Sequence, residues 1–185
     1  MNKRIVFILV SFLLSSTAFA GATADQASNP HYLHHWQIGI GPGLISGLNA
    51  PDLISSWRIG FGAPVTEDID LSLITDFGIS SQRTDTHFFT IKVAGDYNFT
   101  TDNMTPFMTA DLGYASVHAH ANCSDVTCQS PGDDAGGVAL GVGGGYKFWR
   151  HQCMQLGVLA RYDVMFTTTR YGTPMKYALE GVLYF

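Results

Sequence analysis

The sequence predicts an all-β fold: eight antiparallel strands running up and down around a closed transmembrane barrel. Three observations predict it. Apolar and polar residues alternate with period two along most of the chain from Trp36 onward, the strand period. Every charge inside those alternating segments falls on one parity. Aromatic residues collect at the segment ends.

Composition sets the frame. The chain has 185 residues, 46% hydrophobic, 14% charged, with 20 glycines; that length fits one domain. The charged share lies well below the roughly 25% of an ordinary soluble domain. A net charge of −5 argues against nucleic acid, whose partners carry a basic patch or stripe. No apolar run of about 18 residues follows the N-terminus, so helices are not expected to span a membrane.

The first segment reads as an address. Lys3 and Arg4 precede an apolar run from Ile5 to Leu14, and Ala18-Phe19-Ala20 offers the small residues of a cleavage site. Residues 1–20 are expected to be a secretory signal peptide cut after Ala20. Residues 21–34 are small, polar and unpatterned, a flexible periplasmic leader. Residues 35–185 form the barrel.

Strand one sets Trp36, Ile38, Ile40 and Leu44 against Gln37, Gly39, Gly41 and Gly43. Strand two sets Trp57, Ile59, Phe61 and Ala63 against Arg58, Gly60 and Gly62. In strand three Ile69, Leu71, Leu73 and Phe77 oppose Asp70, Ser72 and Asp76, and Ile74 breaks the pattern. Strand four has Phe89, Ile91, Val93, Tyr97 and Phe99 on one face and Thr90, Lys92, Ala94, Asp96 and Asn98 on the other.

Strand five sets Met108, Ala110, Leu112 and Tyr114 against Thr109, Asp111 and Gly113. Strand six sets Val138, Leu140, Val142, Tyr146 and Phe148 against Ala139, Gly141, Gly143, Gly145 and Lys147. Strand seven sets Met154, Leu156, Val158, Ala160, Tyr162 and Val164 against Gln155, Gly157, Arg161 and Asp163. Strand eight sets Tyr177, Leu179, Leu183 and Phe185 against Lys176, Ala178, Glu180 and Tyr184. Each segment has about 9–12 residues, the length of a tilted spanning strand.

Connections alternate in length. Those around 64–67, 100–105 and 149–152 read as short. Those around 45–55, 79–86, 117–134 and 167–173 read as long. One plain end and one elaborated end suit an up-and-down barrel.

Alternation alone does not say which face is inside. A soluble lipocalin-like binding barrel hides its apolar face; a membrane barrel exposes it. The charges Arg58, Asp70, Asp76, Lys92, Asp96, Asp111, Lys147, Arg161, Asp163, Lys176 and Glu180 all share the polar parity. On a lipid-facing parity a mid-depth Arg or Lys would cost about 2–4 kcal/mol. Five basic and six acidic residues spaced by glycine suit a narrow lumen of ion pairs. Two aromatic girdles are expected: Trp36, Tyr97, Phe99, Tyr146, Phe148, Trp149 and Phe185 at the short-turn end, and Trp57, Phe77, Phe89, Tyr114 and Phe166 at the long-loop end.

Three stretches carry a family resemblance: 105–114 (TPFMTADLGY), 141–148 (GVGGGYKF) and the closing 177–185 (YALEGVLYF). The chain resembles the small eight-stranded outer-membrane barrels, OmpA-like and OmpX-like, over residues 35–185 as architecture. The resemblance implies an outer-membrane location, contact with lipid and lipopolysaccharide, and a monomer. It also implies that Phe185, with Leu183, Leu179 and Tyr177, forms a signal for the outer-membrane assembly machinery. The implied role is structural, surface-interacting or that of a narrow pore. No peptidoglycan-binding domain follows the barrel, so cell-wall anchoring is not implied.

Cys123 and Cys128, four residues between them in the longest loop, are expected to form a disulfide, which an exported context permits. Cys153 is expected to stay unpaired. His118, His120, Asp125, Asp133 and Asp134 share that loop, but their spacing matches no strong zinc pattern and bridged cysteines cannot ligate. His31, His34 and His35 read the same way. Some barrels of this size modify lipid A, and a hydrolase of that kind resembles Ser-His-acid chemistry with a His-x-Ser-Asn-like strand motif, absent here. His87, with Asp85 and Thr86 beside it, does not assemble nucleophile, base and orienter. No catalytic residue, cofactor or metal ligand is therefore expected.

Overall fold

The structure, a computed structural model, describes residues 35–47, 51–80, 84–121, 133–150, 154–167 and 172–185. Eight strands follow in chain order: β1 (His35–Ser46), β2 (Asp52–Pro64), β3 (Ile69–Ser80), β4 (Thr84–Asn98), β5 (Met104–Ala121), β6 (Asp133–Phe148), β7 (Gln155–Phe166) and β8 (Met175–Tyr184). Each pairs antiparallel with its chain neighbours, and β1 pairs with β8 to close the barrel. The signal segment, the leader, Cys123, Cys128 and Cys153 lie outside the described residues.

The register fixes the barrel's geometry. A row of paired residues runs Trp36, Phe61, Leu73, Val93, Leu112, Leu140, Val164 and Met175, and re-enters β1 at Ser46. The return lies ten residues beyond its start, so strands tilt by about 40° and rows climb toward the loop end. An eight-stranded barrel of this kind is just wide enough to be filled by side chains.

Parity holds around the whole wall. Trp36, Ile38, Ile40, Ile59, Val93, Leu112, Leu140, Val142, Val158 and Leu179 are exposed, while Gln37, Arg58, Asp76, Lys92, Lys147, Arg161 and Lys176 are buried. Ile74 keeps strict alternation: although apolar, it is only 1% exposed and points into the lumen, which corrects the break in pattern expected there.

Strand ends differ from the sequence reading. The connections expected at 45–55 and 79–86 are mostly strand, as are the described ends of 117–134, and the strands run from 10 to 18 residues. β1 and β2 meet across residues 47–51, and β5 and β6 across 122–132. The cause is the side chains at these ends. Ile45, Ile54 and Val117 face inward and are buried, so near the loop end apolar residues take the lumen parity, polar ones enter the outward parity, and the alternation fades.

The turns at the opposite end stay short. Arg150, beside Trp149 with its left-handed φ of 58°, donates from Nη1 to Thr100 O at 3.0 Å and from Nη2 to Glu67 O. Its own N–H bonds Asn103 O at 2.9 Å. One guanidinium thus ties three turns together.

Candidate functional site

The lumen is built in layers. Inward-facing Ile45, Ile54, Phe88, Ala115, Val117, Ala139 and Met165 form an apolar layer at the loop end. Phe107, Leu159, Val182 and Tyr184 form a second one toward the turn end. Between them lies an ionic cluster of four basic and four acidic side chains, all at 6% exposure or less.

Lys92 is the hub. Its Nζ lies 2.8 Å from Asp163, 2.9 Å from Asp76 and 3.1 Å from Asp111. Arg161 faces the same carboxylates: Nη1 meets Asp76 at 3.0 Å, and Nη2 meets Asp111 and Asp163 at 2.8 Å each. Arg58 Nε lies 3.2 Å from Glu180 and 3.4 Å from Asp76. Lys176 reaches Asp163 at 3.4 Å and Glu180 at 3.7 Å, and lies 4.9 Å above the Phe88 ring. Ser56 donates to Glu180 at 2.7 Å while accepting from Lys176 at 3.2 Å.

This cluster leaves no room for more side chain. A Cβ at Gly141 would collide with the carboxylates of Asp111 and Asp163, so glycine there is what lets the ion pairs meet. Charges so enclosed are tolerated because each is paired; Arg58 is held by its ion pairs alone, its Nε and Nη2 making no hydrogen bond.

A smaller cluster lies near the turns. Lys147 Nζ sits 2.9 Å from Asp70 and 3.0 Å from Asp96, and 4.7 Å from the centroid of Phe107. Asn98 donates to Asp70 at 3.0 Å. His35, placed with the leader's histidines in the sequence reading, belongs to β1 and packs edge-on to Tyr184 at 5.5 Å. All eleven lumen charges named from sequence therefore face inward in these two groups. Asp52, at 1% exposure, also faces inward, from a stretch whose sequence reads as a loop. Phe88 and Phe107 were likewise missed, each flanking an outward aromatic or methionine that dominates the local pattern.

The outer wall carries the girdles. Trp57, Phe77 and Phe89 are consecutive partners across three strands, with Trp57 and Phe77 stacked at 6.1 Å. At the turn end Trp36 packs on Phe61 at 5.2 Å, and Tyr97 on Phe99 at 5.4 Å. Of the closing-strand residues, Tyr177, Leu179 and Phe185 face outward and exposed.

Above the upper girdle the wall changes character. The register continues Phe77 and Phe89 into Ser116 and Gly136, and the next outward-facing row runs Ile79, His87, His118 and Asp134. His118 donates from Nδ1 to Asp134, and the His87 and His118 rings stack at 6.3 Å. Here His118 and Asp134 are strand residues rather than loop residues, 16 positions apart in sequence. Among the described residues, no three ligand-type side chains converge as a metal site.

An apolar outer wall, a sealed ionic interior and two aromatic rims define the fold of a small outer-membrane β-barrel. Solved structures of that class are the ones this chain resembles. Neisserial surface protein A superposes with a TM-score of 0.66 at 17% identity, covering 81% of this chain and 95% of that one. OprG from Pseudomonas aeruginosa gives 0.51 at 12% identity, covering 84% and 97%. The outer membrane enzyme PagL gives 0.50 at 15%, covering 79% and 97%. No protein-family model matches the sequence, and no curated protein matches it.

Proposed function

We propose that this chain is a bacterial outer-membrane barrel, exported by its N-terminal segment with cleavage after Ala20, whose role is structural and surface-interacting. One observation carries the reading: every described charge within the spanning wall is enclosed, while the exterior is continuously apolar between two aromatic rims. That surface suits hydrocarbon and lipopolysaccharide. It would not stay dispersed in water.

Strand extensions favour work at the surface. β5 continues five residues past Ser116 to Ala121, roughly 16 Å of strand, presenting the segment that holds Cys123 and Cys128. A bridge between those cysteines would brace that tip. The exposed closing residues Tyr177, Leu179 and Phe185, with Leu183, fit a docking signal for the assembly machinery. The barrel works as a monomer in this reading, because its sheet has no open edge. A narrow-pore role requires both apolar layers to part, and so ranks second.

The test is cell fractionation with a gel-shift assay. The protein is expected in the outer-membrane fraction, migrating differently before and after boiling in detergent. Recovery as a detergent-free soluble monomer would select the lipocalin-like alternative instead.

A further inference from the structure

The outer rim of β4, β5 and β6 gathers imidazoles that no single stretch of sequence shows together. His87 on β4 and His118 on β5 are register partners, and Asp134 on β6 is the next partner in the same row. All three lie on the outward parity; His87 and Asp134 are exposed and His118 is half-buried. Ions in solution therefore reach the row directly. The His87 and His118 rings stack with centroids 6.3 Å apart.

Two features suit this row to a metal ion. Asp134 accepts from His118 Nδ1, which leaves Nε2 as the basic nitrogen of that ring. A carboxylate behind a ligating imidazole fixes its tautomer and raises its basicity. Spacing is the second feature. Two imidazoles sharing one ion, at Zn–N of about 2.0–2.1 Å, hold their centroids about 5–6 Å apart. A small rotamer adjustment brings the observed pair to that separation.

The next rung along the same strands pairs Asp85 with His120. His118 and His120 are alternate residues of β5 and share the outward parity, with Cα positions about 7 Å apart. His87 and His120 are diagonal neighbours across β4 and β5, about 7–8 Å apart, a span that aromatic side chains cover. Three histidine positions thus mark the corners of one small triangle on the outer face, with Asp134 at its edge.

We infer that His87, His118 and His120 form a binding site for a zinc-class divalent ion at the loop end of the barrel, with Asp134 positioning His118. Imidazole nitrogens suit zinc, copper and nickel, whereas magnesium and calcium take oxygen donors. Three histidines and one water complete a tetrahedron around zinc. The ion ties β4 to β5 above the upper girdle. The site uses neither Cys123 nor Cys128, and it exists on either reading of the outer wall, because it needs only the barrel register.

The test is calorimetric titration of the folded, tag-free protein in detergent with zinc chloride, the boiling shift being recorded first. Serine replaces Cys123, Cys128 and Cys153 throughout, because thiolates bind zinc themselves. One zinc per chain is expected, and magnesium and calcium chloride should not compete for it. Asp134→Asn should weaken binding about 10–100-fold, and His87→Ala, His118→Ala and His120→Ala should each weaken it further. Asp134→Glu should recover part of the loss. Zinc should also slow hydrogen exchange at the loop ends of β4 and β5, and fail to do so in His87→Ala. A shifting, folded barrel that takes up no zinc, or binds it equally after His87→Ala or His120→Ala, overturns the inference and leaves the outer-membrane reading intact. Loss of the boiling shift in the unmodified chain would overturn both, since the row exists only in the barrel register.

Discussion

Lys92 shows how much a single side chain holds together in this lumen. It faces three carboxylates within 3.1 Å, between two apolar layers that keep water away. Replacing it by methionine leaves Asp76, Asp111 and Asp163 confronting each other with fewer cations. Loss of one partner of a buried pair costs about 3–5 kcal/mol, so Lys92→Met should lower stability by that order in urea titrations of the refolded barrel. Removing a charge of each sign, as in Lys92→Met with Asp111→Leu, should recover much of the loss. The same enclosure predicts a weak response to salt: raising NaCl from low to about 1 M screens exposed pairs but should leave the unfolding midpoint nearly unchanged. A steep fall with salt would mean that the cluster is solvated.

At the scale of elements, the turn end is held by Arg150 and the loop end by apolar side chains turned inward. Arg150→Ala removes donors to Thr100 O and Glu67 O. Each such buried loss costs about 1–3 kcal/mol, and hydrogen exchange should quicken at all three turns together rather than at one. Deleting Phe185 should slow insertion while leaving the folded barrel's unfolding midpoint largely intact; unchanged insertion kinetics would argue against the assembly-signal role.

Much of each element was legible before the structure. Strands four and six alternate cleanly because their lumen faces carry small or charged residues such as Ala94, Lys92, Gly141 and Lys147. Legibility failed where inward residues are themselves apolar. Ile45, Ile54 and Val117 hid the strand ends, Ile74 read as an error, and Phe88 and Phe107 vanished beside their outward neighbours. The His118–Asp134 pair was illegible for a different reason. Asp134 lies 16 residues from His118, and only the β5–β6 register brings them opposite.

For the molecule as a whole, ten residues of shear and eight strands give a cylinder whose interior is consumed by layers of apolar, ionic and aromatic side chains. In planar bilayers it should show at most small, intermittent conductance; large stable steps would require the layers to be displaced. The central claim is the inverted orientation, apolar side chains toward lipid and charges within. Its most direct test is a spin label placed singly at Leu140 or Val142, compared with one at Thr109, in a reconstituted bilayer. The labels at Leu140 and Val142 should be readily relaxed by oxygen dissolved in hydrocarbon and protected from a water-soluble nickel complex, with the Thr109 label shielded from oxygen. Strong nickel relaxation at Leu140 and Val142 would contradict the account.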